Sequence, residues 1–132
     1  MSKAVLDASA LLAVLNREPG VEMVAPILYA ATVSAINYSE VLKKVIERGG
    51  DIVLMSQFLD RQQLNIVPFD RERAIAAASI LPHTKAHGLS FADRACLAAG
   101  KEFGLTVYTA EKRMSETTLD VSVQLIRQHK EH

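Results

Sequence analysis

Short apolar runs alternate with longer helical periods along nearly the whole chain, and this alternation restricts the fold more than any other feature. Ala4-Val5-Leu6 is a brief buried-strand run, and Ala8 to Leu15 is helix-like and almost wholly apolar. Arg17-Glu18-Pro19-Gly20 is a break, and Val21 to Tyr29 reads as a second short helix. Thr32-Val33 is a second strand, and Ser34 can cap a long helix from Ala35 to Arg48, ended by Gly49-Gly50. Asp51 to Gln63 has helical periodicity through Ile52, Met55, Phe58 and Leu59. Asn65-Ile66-Val67 is a third strand, stopped by Pro68. An alanine-rich helix from Arg71 to Leu81 and a loop from Pro82 to Leu89 follow. Ser90 caps a helix to Phe103, ended by Gly104. Leu105 to Tyr108 is a fourth strand, Val121 to Ile126 contains a fifth, and a polar tail with His129 and His132 closes the chain. Strand-helix alternation implies an α/β fold: a parallel sheet with helices on both faces. Sites in such sheets form beyond the carboxyl ends of the strands.

The chain of 132 residues fits one domain with a real core. No apolar run approaches the roughly 18 residues of a membrane span, and the first residues lack the apolar stretch of a signal peptide. A cytoplasmic protein with no membrane partner is the expectation. Cys96 is the only cysteine, so no intramolecular disulfide forms, and it reads as a small core residue. The formal net charge is zero, so contact with nucleic acid requires a local basic patch.

The acids that follow strands therefore carry the argument. Asp7 follows the first strand and suits the N-cap of the next helix. Ser9 adds a hydroxyl at the same edge. Asp93, in Ser90-Phe91-Ala92-Asp93, fits a capping box with Asp in place of Glu or Gln. Cys96, Leu97 and Gly100 share its helix face, so its carboxylate is expected along an apolar stripe, where it needs a partner. Glu40 lies near the start of its helix, opposite a stripe of Tyr38, Val41, Leu42, Val45 and Ile46, and periodicity favours a solvated Glu40–Lys44 pair. Glu111 follows the fourth strand, and Thr109 before it is a second supporting hydroxyl.

Taken singly, each acid has an ordinary capping or surface explanation. Taken together, the four gather at one sheet edge, where carboxylates repel one another unless a cation lies between them. Mg²⁺ or Mn²⁺ suits an all-oxygen shell and would activate water against a phosphodiester. Arg94, Lys112 and Arg113, with Lys43 and Lys44, are the candidate phosphate contacts. His83 and His87 have the spacing of two ligands on one helical turn but lack the metalloprotease pattern. Leu11, Leu12 and Val14 are candidates for a dimer or partner surface, with core packing the simpler reading for most of them.

Leu6-Asp7-Ala8-Ser9-Ala10-Leu11-Leu12, then Ser34-Ala35-Ile36-Asn37-Tyr38-Ser39-Glu40-Val41, then Gly88-Leu89-Ser90-Phe91-Ala92-Asp93 occur in this order. Thr109-Ala110-Glu111 and Val123-Gln124-Leu125-Ile126-Arg127 follow. In this joint order the chain resembles the PIN domain, specifically the VapC toxins of bacterial toxin–antitoxin pairs. The resemblance implies about five parallel strands in a three-layer α/β/α sandwich. It also implies metal-dependent RNA cleavage by Asp7, Glu40, Asp93 and the acid after the fourth strand, with metal on Asp7, Asp93 and Glu111. A homodimer and a cognate VapB-type antitoxin are the implied partners. The family usually has Asp after Thr-Ala, whereas this chain has Glu111; Glu116 is the weaker substitute. A receiver domain would need an Asp after the third strand, where Pro68-Phe69-Asp70 fits poorly. A haloacid-dehalogenase-like phosphatase would need an Asp at the position of Ser9. The remaining alternative is a degenerate PIN module that binds RNA or a protein without cutting.

Overall fold

A computed structural model describes residues 2–128, so His129 and His132 lie outside the described residues. The expected strands form one parallel sheet: β1 (Ala4–Leu6), β2 (Thr32–Ser34), β3 (Asn65–Val67), β4 (Thr106–Thr109) and β5 (Val123–Leu125). Their order is β3-β2-β1-β4-β5, with every neighbouring pair parallel. The chain builds outward from β1 through β2 to β3, then crosses back to set β4 on the other side of β1. The direction of winding thus reverses between β1 and β4, which opens a crevice beyond their carboxyl ends.

Helices cover both faces, giving the three-layer sandwich expected. They are α1 (Ala8–Leu15), α2 (Val21–Val24), α3 (Ala35–Glu47), α4 (Ile52–Arg61), α5 (Arg71–Ser79), α6 (Leu81–Thr84) and α7 (Phe91–Phe103). The two-residue period of a strand divides β1 between two cores. Ala4 and Leu6 pack with Leu11 of α1, Val24 of α2, Val41 of α3 and Leu59 of α4. Val5 and Val107 pack with Cys96 and Leu97 of α7 and Ala77 of α5. Helix α7 is buried continuously from Ala95 to Gly100. A Cβ on Gly100 would lie 2.5 Å from Val107 Cγ2, so the missing side chain lets α7 lie close on β4.

Several details differ from the sequence reading. The helix expected from Val21 to Tyr29 is α-helical only to Val24, because Pro26 cannot donate to an α-helical ladder; Ala25–Ile27 is a 3₁₀ turn. The loop expected from Pro82 to Leu89 is largely helical, as α6 and a 3₁₀ turn over Lys85–His87, because Pro82 sits in a first turn where its missing N–H costs nothing. The fourth strand runs one residue later, from Thr106 to Thr109. On α3, Ile46 is 56% exposed and Asn37 is buried in its stead.

Helix α4 shows how much a single cap supports. Its N-cap Asp51 accepts from Val53 N at 2.8 Å and Leu54 N at 3.3 Å. Asp51→Ala is expected to reduce unfolding free energy by about 1 kcal/mol. Urea titration would show a lower midpoint at unchanged slope.

Candidate active site

Asp7 is the first residue past β1 and the N-cap of α1, with its side chain 5% exposed. Its Oδ1 accepts from Ala10 N at 2.9 Å and from Ser9 Oγ at 2.7 Å. Its Oδ2 accepts from Thr109 Oγ1 at the end of β4. Ser9 Oγ in turn accepts from Ala110 N at 2.8 Å, and Thr109 Oγ1 accepts from Glu111 N at 2.9 Å. The N-cap carboxylate of α1 is therefore also the candidate site acid after β1. Both supporting hydroxyls expected from sequence sit on it, stitching β1 to β4 across the crevice.

These bonds do not balance the charge. Burial, and then the nearby Asp93 carboxylate, raise the Asp7 pKa from 3.8 to about 6, against the lowering effect of the Ser9, Thr109 and Ala10 hydrogen bonds. Asp93 closes a capping box at the start of α7: Ser90 N donates to its Oδ2 at 2.9 Å, and its own N–H donates to Ser90 Oγ at 3.2 Å. It is half-buried, not enclosed by the apolar stripe as expected, because the cap draws it back to the helix start.

Glu40 is exposed on α3 and accepts from Asn37 Nδ2 at 3.3 Å. The expected Glu40–Lys44 pair is replaced, since Lys44 Nζ lies 3.9 Å from Glu47. Beneath the acids, Cys96 is a core residue whose thiol is pushed well above its ordinary pKa, first by burial and then by Asp7, Asp93 and Glu40.

Glu111 is drawn elsewhere. It caps a 3₁₀ turn over Lys112–Glu116 and holds Arg113, with Arg113 Nε 2.9 Å from its Oε1 and Nη2 3.3 Å from its Oε2. Arg113 Nη1 also donates to Gly88 O at 3.4 Å, and Glu111 and Asp93 both raise the guanidinium pKa. Arg113 is thus a tether between the end of β4 and the approach to α7. Arg94 is half-buried, donating from Nη1 to Leu89 O at 3.4 Å with a buried, unpartnered Nε. Lys43, Lys112 and Glu116 are exposed.

Among the described residues, no three His, Cys, Asp or Glu side chains converge on a point able to hold a metal ion. Glu111 is paired with Arg113, and Glu40 accepts from Asn37. Asp7 and Asp93 nevertheless fit a hard divalent cation. They are oxygen donors from two elements, and the buried Asp7 charge is destabilised by its surroundings. Glu111 does not fit as placed. His83 Nδ1 lies 3.1 Å from Thr118 Oγ1, and the His83–His87 pair forms no metal set.

Leu11 is core, whereas Val14 lines an apolar groove of about 510 Å³ with Leu15, Leu54, Met55 and Phe58, and Leu12 lines a smaller neighbouring one. Sequence reasoning overlooked Asn37, which is 1% exposed. The available signal was its spacing: Asn37, Val41 and Val45 recur every four residues, putting an amide on the buried stripe.

No curated protein matches the sequence. Among solved structures, a toxin–antitoxin complex from Klebsiella pneumoniae is similar with a TM-score of 0.77 at 15% identity, over 96% of this chain and 100% of that one. DNA-bound VapBC from Salmonella typhimurium gives 0.73 at 18% identity, over 96% and 100%. VapC20 of Mycobacterium tuberculosis, described as a sarcin-ricin loop cleaving toxin, gives 0.72 at 16% identity, over 86% and 93%. These likenesses share the fold, and the family model for the PIN domain matches residues 4–118, so the chain belongs to the PIN-domain family.

Proposed function

We propose that this protein is a metal-dependent endoribonuclease and the toxin of a VapBC-type pair. The observation that carries the reading is the Asp7–Asp93 pair at the β1/β4 crevice, with Asp7 buried and its charge opposed by its surroundings. PIN-domain membership supports nuclease chemistry. The similar structures include toxin–antitoxin complexes and an RNA-cleaving toxin.

In this reading Asp7 and Asp93 hold Mg²⁺ or Mn²⁺. Ser9 and Thr109 keep the Asp7 carboxylate in one orientation. Glu40 is a further ligand or orients a water molecule, and Glu111 joins the set once it parts from Arg113. Arg113, Lys112 and Arg94 then face the phosphates. A bound divalent cation supplies positive charge that polarises a phosphodiester and acidifies water. A VapB-type antitoxin and a second copy of the chain are the proposed protein partners, with the cytoplasm as the site of action. No helix among the described residues is long and apolar enough to cross a membrane.

The test is incubation of purified, antitoxin-free protein with a structured RNA pool in Mn²⁺, Mg²⁺ or EDTA. Cleavage in either metal that stops in EDTA is the expected result. Intact RNA in all three conditions would overturn the active-nuclease reading for those RNAs. The Glu111–Arg113 ion pair favours a second reading, a PIN module that binds without cutting. Glu111→Asp separates the two: the shorter acid reaches Arg113 less well, so cleavage gained with this variant marks a site restrained by the pair.

A further inference from the structure

The amide of Asn37 has two neighbours, and both are acceptors. Nδ2 lies 3.2 Å from Ala92 O and 3.3 Å from Glu40 Oε1. An amide oxygen turned toward either would meet another oxygen without a proton between them, so the NH₂ end must face both. Oδ1 is then buried with no donor. An orphaned interior oxygen is costly. An apolar side chain of the same size would continue the Val41 and Val45 stripe without that cost. Whatever the amide contributes therefore lies in its two donated bonds.

Those bonds connect particular parts of the site. Ala92 is the residue before Asp93, and its carbonyl belongs to the first turn of α7. Glu40 is one turn beyond Asn37 on α3. A single rigid amide thus joins the side chain of one candidate acid to the backbone carrying another. The carboxylate it holds is exposed, on a side chain free to sweep through solvent without this anchor. Because one NH₂ group reaches both, the Glu40 carboxylate is kept beside the first turn of α7, where Asp93 closes the capping box.

We infer that Asn37 is a positioning residue that ties the Glu40 carboxylate to the start of α7, fixing acids from two helices in one frame for a divalent cation. The inference rests on the proposed cation site and adds a residue that acts through Glu40 without touching the cation.

The experiment is a double-mutant cycle on the full chain, read by calorimetric titration with manganese(II) chloride alone and by RNA cleavage. Thermal melting of each variant checks folding. Asn37→Ala is expected to weaken manganese binding about 10-fold, the scale on which a group orienting a metal ligand acts. In a Glu40→Ala background the same substitution is expected to change manganese affinity less than about 2-fold, because the group it positions is gone. Equal losses in both backgrounds, or no loss in the first, would overturn the positioning role. Asn37→Ser carries the same comparison if Asn37→Ala does not fold. Wild-type protein that binds manganese but leaves RNA intact overturns the nuclease reading alone. Wild-type protein that takes up no manganese overturns both.

Discussion

Replacing Asp7 by Asn is expected to abolish RNA cleavage and, at the same time, to make the metal-free protein more heat-stable. The two effects have one cause. Burial and Asp93 raise the Asp7 pKa from 3.8 to about 6. The folded state thus binds the Asp7 proton more tightly than the unfolded chain does. The stability this gives is fully present below about pH 4 and is lost as pH rises through about 6. At pH 7.5 the ionised carboxylate costs the fold about 3 kcal/mol relative to its protonated form. Asn has the same shape and no charge. Its oxygen can still accept from Ala10 N and Ser9 Oγ, and its NH₂ can donate to Thr109 Oγ1, which has Met114 Sδ at 3.5 Å as an outlet for its own proton. In EDTA at pH 7.5 the variant is expected to melt about 5–10 °C above wild type, with the gap closing toward pH 4. Millimolar Mn²⁺ reverses the order by stabilising wild type alone. Cleavage falls by more than about 100-fold, the upper range for disturbing only a group behind a metal ligand. Equal melting temperatures at pH 4 and pH 7.5 would contradict the charge argument even if cleavage were lost.

The second large effect is expected far from the acids. Gly20 has φ +102°, and a Cβ there would lie 2.6 Å from the carbonyl oxygen of Ile126. The segment after β5 is latched at this point: Ile126 is 1% exposed, and Arg127 Nη1 donates to Pro19 O at 2.9 Å. Gly20→Ala combines an unfavourable backbone conformation with a clash against main chain that cannot turn aside, and is expected to cost about 3 kcal/mol. Gly49 is the internal comparison, with φ +77° and open space around it. Gly49→Ala bears only the backbone term, about 1 kcal/mol. Equal losses for the two variants in urea titrations would show that the latch contributes nothing.

The sheet was readable because its strands are apolar runs bounded by Pro, Gly and capping residues, and alternation with helices leaves few topologies. The caps at Asp7, Ser34 and Ser90 follow from side-chain chemistry within three residues. Contacts between distant segments were not readable. Nothing in Glu111-Lys112-Arg113 says that Glu111 turns to the arginine two residues on, or that the same arginine reaches Gly88. Periodicity placed Glu40 on the outer face of α3 but could not show Asn37 reaching α7. The pattern of the resemblance supplied the candidate acids. That Glu111 is held by Arg113, and that Glu40 is bonded to an amide reaching α7, depends on tertiary packing.

The position of β1 and β4 at the centre and inner flank of a five-stranded sheet has a consequence for how the molecule breathes. Local opening starts where packing is thinnest, at edge strands and short turns. Asp7 hangs from the middle strand, and Asp93 from the helix packed against β1, β2 and β4. The turn holding Glu111 and Arg113 instead packs on β5, an edge strand of three residues. Amide hydrogens around Asp7 and Asp93 should therefore exchange only on near-global unfolding, while those of Lys112 to Glu116 exchange through a shallow, local event. The segments that carry Asp7 and Asp93 would then last as long as the fold itself, while the Glu111–Arg113 turn yields without the fold being lost.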